Sequence, residues 1–168
     1  DTSSKNEHVS IIERAGRQLK ERVRAFINTL PFNLTKEMLI YLVYYVTSMI
    51  NSFPRSTSAL EGVSPKEKLT GKVLDYNLDC KLEFGSYVQA NEDDTRTNTM
   101  NARTFPAICL GPVGNIQASY YFMNLLTFEV VKRRSWVEMP LPNEFIVKIN
   151  AKAARENVLF QRGGLRFK

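Results

Sequence analysis

The chain has 168 residues, 43% apolar and 11% aromatic, and a net charge of +6. That length carries one domain or two small ones, and that composition excludes a disordered chain. Two cysteines and one histidine exclude a disulfide framework, a zinc knuckle and a His/Cys finger. Cys80 and Cys109 read as free thiols of a reducing compartment, and His8 as a surface residue.

The charge is uneven. Six Lys and Arg stand against four Asp and Glu over residues 1–30, eight against ten over 31–131, and nine against three over 132–168. Two basic ends around a slightly acidic middle read either as a solvated surface with a modest excess of Lys and Arg or as a fit to a polyanion, such as nucleic acid, approached at two places. The longest apolar run, residues 38–46, is far short of a membrane span. The opening DTSSKNEH lacks the apolar core of a secretory signal, so nucleus or cytoplasm is the expected setting, with no membrane partner.

Residues 1–9 are polar and read as a flexible lead. Residues 10–30 predict an amphipathic helix. Ile12, Ala15, Leu19, Val23, Phe26 and Leu30 recur at steps of three or four and make an apolar stripe. Glu13, Arg17, Lys20 and Arg24 follow the same spacing on another face, a carboxylate heading a row of cations. Ser10 and Glu13 fit a capping box, in which Glu13 returns to the Ser10 amide. Gly16 lies inside the helix at a cost of about 1 kcal/mol relative to Ala, which a close approach by another backbone or a ligand would explain.

The helix should stop before Pro31. Thr35 then caps a second helix over residues 36–53 that is apolar on nearly every side, as a buried helix is. Tyr41, Tyr44 and Tyr45 on it read as core. The helix has more apolar surface than one neighbour can cover, so its flank points to self-association, as in a homo-oligomer, or to poor solubility. Ser64 and Pro65 open a short helix that ends at Gly71.

From Lys81 onward the pattern changes to short aromatic and β-branched runs, LEFGSYVQA, FPAICLG, IQASYYFMNL and FEVVKRRSWVEM. Residues 91–101, with Asp93 and Asp94, read as a solvated hairpin loop, and 112–115 and the region of Asn124 as tighter turns. Four or five strands at this spacing suggest a small antiparallel barrel. Lys132, Arg133 and Arg134 beside Trp136 read either as an exposed strand end next to a core tryptophan or as a phosphate-binding group with an aromatic to stack on. A last helix opens at Pro142 and Asn143 and runs to about Arg155, ahead of a basic tail.

Glu13, Arg14, Arg17, Leu19, Glu21, Arg22, Arg24 and Ala25 spell E-R-x-x-R-x-L-x-E-R-x-R-A. This resembles the last active-site helix of copia-type retrotransposon integrases. Further similar segments follow in order: LPFNLTKEMLIYLVYYVTSMINSFP, GVSPKEKLTGKVLDY, and FGSYVQA through RSWVEMPLP. The resemblance covers roughly residues 7–154. No single segment is diagnostic; their order and spacing carry it.

The resemblance implies an α+β chain in three parts. Residues 1–76 would be the C-terminal helices of an incomplete RNase H-like core, 77–140 an SH3-like or similar small β-barrel, and 141–168 a helix and basic tail. It implies DNA integration by a polynucleotidyl transferase, in which three acids hold two Mg2+ or Mn2+ ions about 3.5–4 Å apart for an in-line displacement. It assigns the third acid, catalytic and metal-binding, to Glu13. Arg14, Arg17, Lys20, Arg24, Lys132, Arg133 and Arg134 would contact DNA, both element ends and target. The two partner aspartates should lie upstream, and only twelve residues precede Glu13. The chain alone is therefore expected to be inactive, with the rest of the integrase or its polyprotein as partner. The alternative is a non-catalytic nucleic-acid-binding or protein-interaction module. No Ser/His/Asp, Cys/His or phosphate-loop arrangement is present.

Overall fold

In the computed structural model, which describes residues 11–54, 62–92, 102–115 and 117–156, the first helix, α1, spans Ile11–Thr29. It stops ahead of Pro31 as the sequence predicts. Helix α2, Lys36–Ser52, starts at Thr35, whose hydroxyl accepts from the Met38 N–H at 3.3 Å. Its buried row is Met38, Leu42 and Val46, each four residues on from the last. Helix α3, Pro65–Thr70, has its predicted Ser64 cap and ends on Gly71 in the left-handed region. A further single turn, α4 (Tyr76–Asp79), is absent from the sequence reading; the Asp75 carboxylate starts it by accepting from the Asn77 N–H at 2.9 Å.

Five strands follow: β1 (Tyr87–Asn91), β2 (Thr104–Pro112), β3 (Tyr120–Asn124), β4 (Val130–Arg133) and β5 (Trp136–Glu138). They form one antiparallel sheet in the order β4-β3-β2-β1-β5, and helix α5, Asn143–Arg155, closes the described chain. The class is α+β. The sheet departs from the expected barrel in not closing, and the direction of the strands explains why. Both β4 and β5 run antiparallel to their neighbours β3 and β1, so they point the same way, with only two residues between them. Parallel neighbours need a long crossover. The chain instead passes straight from one sheet edge into the other. Arg133 and Trp136 are three residues apart, a reach of about 10 Å, so the sheet curls until its edges meet end to end.

Asn91 fastens that junction. Its N–H donates to the Ser135 carbonyl at 3.1 Å, its side-chain amide donates to the Ser135 hydroxyl at 2.8 Å, and its carbonyl accepts from Arg133 Nε at 2.9 Å.

Alternation along the strands splits the core in two. Val88, Ala90, Phe105, Ala107, Cys109, Tyr120 and Phe122 fill the inside of the curl with Leu82. The Tyr120 hydroxyl accepts from the Lys81 N–H at 3.0 Å and donates to the Leu78 carbonyl at 2.9 Å, which pins the segment ahead of the sheet. The opposite face, with Tyr87, Ile108, Leu110 and Met123, packs against Val23 of α1, the α2 row and Ile149 of α5. Helices and sheet therefore share one core. β2 lies under both clusters and is buried almost end to end.

Two packing expectations are corrected. The α1 stripe is used only in its second half. Val23 is buried and Leu19, Phe26, Ile27 and Leu30 pack beside it, while Ile12 is 82% exposed and Ala15 is exposed. The Phe26 ring meets Tyr45 edge-on at 5.5 Å, so α2 supports α1 from there to the C-terminus. Tyr44 is not core: it is 67% exposed, because the buried row of α2 runs through Met38, Leu42 and Val46 and leaves Ile40 and Tyr44 on the far side. Ser10 with its capping box, His8, the loop acids Asp93 and Asp94, and the basic tail lie outside the described residues.

Candidate nucleic-acid interface

α1 carries five Lys and Arg and two acids in nineteen residues. Arg14 and Arg17 are exposed on its N-terminal half, and Lys20 and Arg24 are exposed further along. Arg17, Lys20 and Arg24 share one face at helical spacing, with Glu13 in the first turn at its head. Glu13 and Lys20 each hold a contact of their own. Gly16 beside them meets nothing within 4 Å of where a Cβ would sit, so no described neighbour demands glycine there.

The second group sits where β4 runs into β5, and its three cations have different surroundings. Lys132 is exposed, with its ammonium 5.3 Å over the Tyr121 ring. Arg134 is exposed. Arg133 is drawn inward: Nε is committed to the Asn91 carbonyl, a terminal nitrogen donates to the Lys132 carbonyl at 2.8 Å, and the guanidinium lies 5.5 Å from the Phe105 ring. Arg133 thus builds the junction from which its two neighbours project. Trp136 packs against Tyr120 at 4.9 Å and Phe122 at 5.4 Å, so most of its ring belongs to the inner core. The two cationic groups are carried by elements packed against different neighbours: α1 on α2, β4 on β3.

Three cations were missed by reading the sequence. Lys81 lies 5.4 Å over Trp136. Lys148 and Lys152, one turn apart on α5, lie 5.9 and 5.4 Å over Phe128, a residue held at φ 63° in the β3–β4 turn. The i, i+4 spacing of the last pair was visible; the ring it covers, some twenty residues away, was not.

Next to Tyr121, α2 and the end of β2 enclose an open cleft of about 460 Å³ lined by Tyr41, Tyr44, Tyr45, Ser48, Pro112 and Tyr121, among others. A bulge between Cys109 and Gly111 bends β2 here, and Gly111, at φ 110°, lets the Tyr45 ring lie on the backbone: a Cβ would come within 2.8 Å of Tyr45 Cδ2.

Neither cysteine is poised as a nucleophile. Burial pushes the Cys109 thiol up to about 12, and burial with the nearby Asp79 carboxylate raises Cys80. Among the described residues no three His, Cys, Asp or Glu side chains stand together to hold a metal ion. Glu13 alone does not fit a two-ion site, which needs several carboxylates, so no metal-borne chemistry is assigned to the described residues. No helix among the described residues is long and apolar enough to cross a membrane. Compared with family models, curated proteins and solved structures, the chain has no match.

Proposed function

We propose that this chain is the nucleic-acid-binding C-terminal part of a copia-type retrotransposon integrase. Glu13 is then the third acid of a two-metal site whose other acids, and with them the Mg2+ or Mn2+ ions, come from the rest of the integrase. Its setting is the nucleus or cytoplasm and its partner is DNA. The observation that carries the reading is the exposed face of α1, where Arg17, Lys20 and Arg24 follow Glu13 at helical spacing. The first of the segments that carry the resemblance is that same helix. A row of cations at helical pitch reads backbone phosphates rather than bases, so binding should be independent of sequence.

The test is fluorescence anisotropy of a labelled duplex with the 168-residue chain. Affinity should fall steeply between roughly 50 and 200 mM salt. Arg17→Ala/Arg24→Ala should weaken unrelated duplexes equally and lower the salt slope by about two. No binding, or binding flat in salt, would overturn the reading.

A protein-interaction module is the second reading. Ile12 at 82% exposure and Ile40 at 53% favour it, since each is a large apolar side chain facing solvent in the described structure. A chain that self-associates or captures another piece of the integrase while ignoring duplex DNA would select it.

A further inference from the structure

The cleft beside Tyr121 is assembled by two local features. On α2, Tyr41, Tyr44 and Tyr45 bring three rings to one side of the helix, and Ser48 continues it one turn on. On the sheet, a bulge between Cys109 and Gly111 bends β2, and Gly111 lets the Tyr45 ring lie against the backbone. Tyr121 completes the wall, its centroid 5.2 Å from that of Tyr41.

The phenol groups divide sharply. The Tyr87 hydroxyl accepts from Gln89, and the Tyr120 hydroxyl is used twice. Those of Tyr41, Tyr44 and Tyr121 make no hydrogen bond among the described residues. Burial, with Tyr121, Glu37 and Tyr44 nearby, raises the Tyr41 phenol above its ordinary value, so it stays protonated and both donates and accepts. Flat rings with unused hydroxyls at their edges suit a flat ligand with hydrogen-bonding edges of its own. A volume of about 460 Å³ lies within the range of ligand pockets, roughly 300–1,000 Å³.

Charge then selects among flat ligands. On the β4 side a cation borders the cleft, Lys132, with its ammonium over the Tyr121 ring. On the other side stands Glu37, one turn before Tyr41. An anionic backbone would pass Lys132 and avoid Glu37.

We propose that this cleft receives an unpaired base of a single-stranded nucleic acid, which stacks on Tyr44 while Lys132 meets the adjoining phosphate. The inference rests on the nucleic-acid reading above and adds a second mode to it. A duplex keeps its bases paired and stacked, and has none to offer without extruding one. Every base has a stacking face, so the cleft takes any sequence.

The experiment compares a labelled oligothymidylate with a labelled duplex by anisotropy at one salt concentration. Tyr44→Ala should weaken the oligothymidylate about fivefold or more and leave the duplex within about twofold. Tyr44→Phe, which keeps the ring, should hold most of the single-strand affinity. Because Tyr44 is 67% exposed, neither variant threatens the fold, which circular dichroism checks. Single-strand binding lost with Arg17→Ala/Arg24→Ala but untouched by Tyr44→Ala overturns the cleft and leaves the nucleic-acid reading standing. Equal losses on both probes overturn base stacking. A proline-rich peptide released by Tyr44→Ala, with oligothymidylate unaffected, reassigns the groove to protein and overturns the proposal. If the unaltered chain binds neither probe, both readings fall.

Discussion

Gly85 and Gly16 meet opposite surroundings. Gly85 sits at φ 90°, and a Cβ there would collide with Leu30 Cδ2 at the end of the α1–α2 pair. Left-handed strain and overpacking combine, so Gly85→Ala should lower stability by about 2 kcal/mol or more. Gly16 has open space around it and ordinary helical backbone, so Gly16→Ala should raise stability by about 1 kcal/mol. Thermal melts of the two variants check both signs. The sequence showed the cost of Gly16 but could not show that its surroundings are open. It gave no hint of Gly85, whose constraint comes from a side chain fifty-five positions earlier. At Tyr45, burial, then Glu83 and Cys109, push the phenol up to about 12 from an ordinary value near 10. The fold therefore holds this proton more tightly than the unfolded chain does. That stability is fully present below pH 10 and is lost as pH rises toward 12. Cys109, pushed up to about 12 from 9, adds to the same alkaline loss. Denaturant titrations across this range should show a shallower decline for Tyr45→Phe than for the parent; equal slopes would remove Tyr45 from the effect.

Among the elements, α1 and the β4–β5 junction show how far a charge pattern can be read. The period of the α1 cations was plain, and the helix is where the spacing put it. How much of the apolar stripe would be covered was not plain, since that depends on where α2 crosses it, and the aromatic contact at Phe26 sets that crossing. At the junction, three consecutive cations looked equivalent. They differ because the carbonyl that captures Arg133 belongs to Asn91, forty-two residues away. Arg133→Ala should therefore cost about 1–2 kcal/mol, the loss of a charge-assisted bond and of packing on Phe105. Arg134→Ala should change stability by less than about 0.5 kcal/mol while weakening duplex binding. Urea midpoints set beside anisotropy separate the two: equal effects of both variants on stability would mean that the guanidinium bonds at the junction contribute nothing.

For the molecule as a whole, periodicity located the long helices α1, α2 and α5 and the strand-bearing half, because a one-sided burial pattern is local information. The open sheet was hidden, because closure depends on the relative direction of β4 and β5, which no run of residues encodes. Tyr44 was misplaced for a related reason: an all-round apolar helix does not announce which side its neighbours cover. The aromatic cleft followed from neither signal, as it joins α2 to a bulge more than sixty residues later. The last helix ties the ends of this arrangement together. Asn150 Oδ1 accepts from the Asn33 N–H at 2.7 Å and Glu156 Oε2 from the Lys36 N–H at 2.8 Å, bonds that span 117 and 120 positions. Ile149 of α5 is part of the core that holds the α2 row, and Ala153 is buried as well. A chain ended after residue 140 should therefore lose its single cooperative urea transition and melt broadly; a sharp transition of unchanged midpoint would show α5 to be dispensable. The order of synthesis gives this clasp a further meaning. A ribosome makes the Met38–Leu42–Val46 row well before β2 and later still α5, both of which pack on it. The row is therefore covered in stages, by Val23 of α1 beside it, then by Ile108 and Leu110 of β2, and later by Ile149 of α5. Part of that apolar row stays open to premature association until α5 is made, and the bonds from Asn33 and Lys36 close only once residue 156 has cleared the exit tunnel.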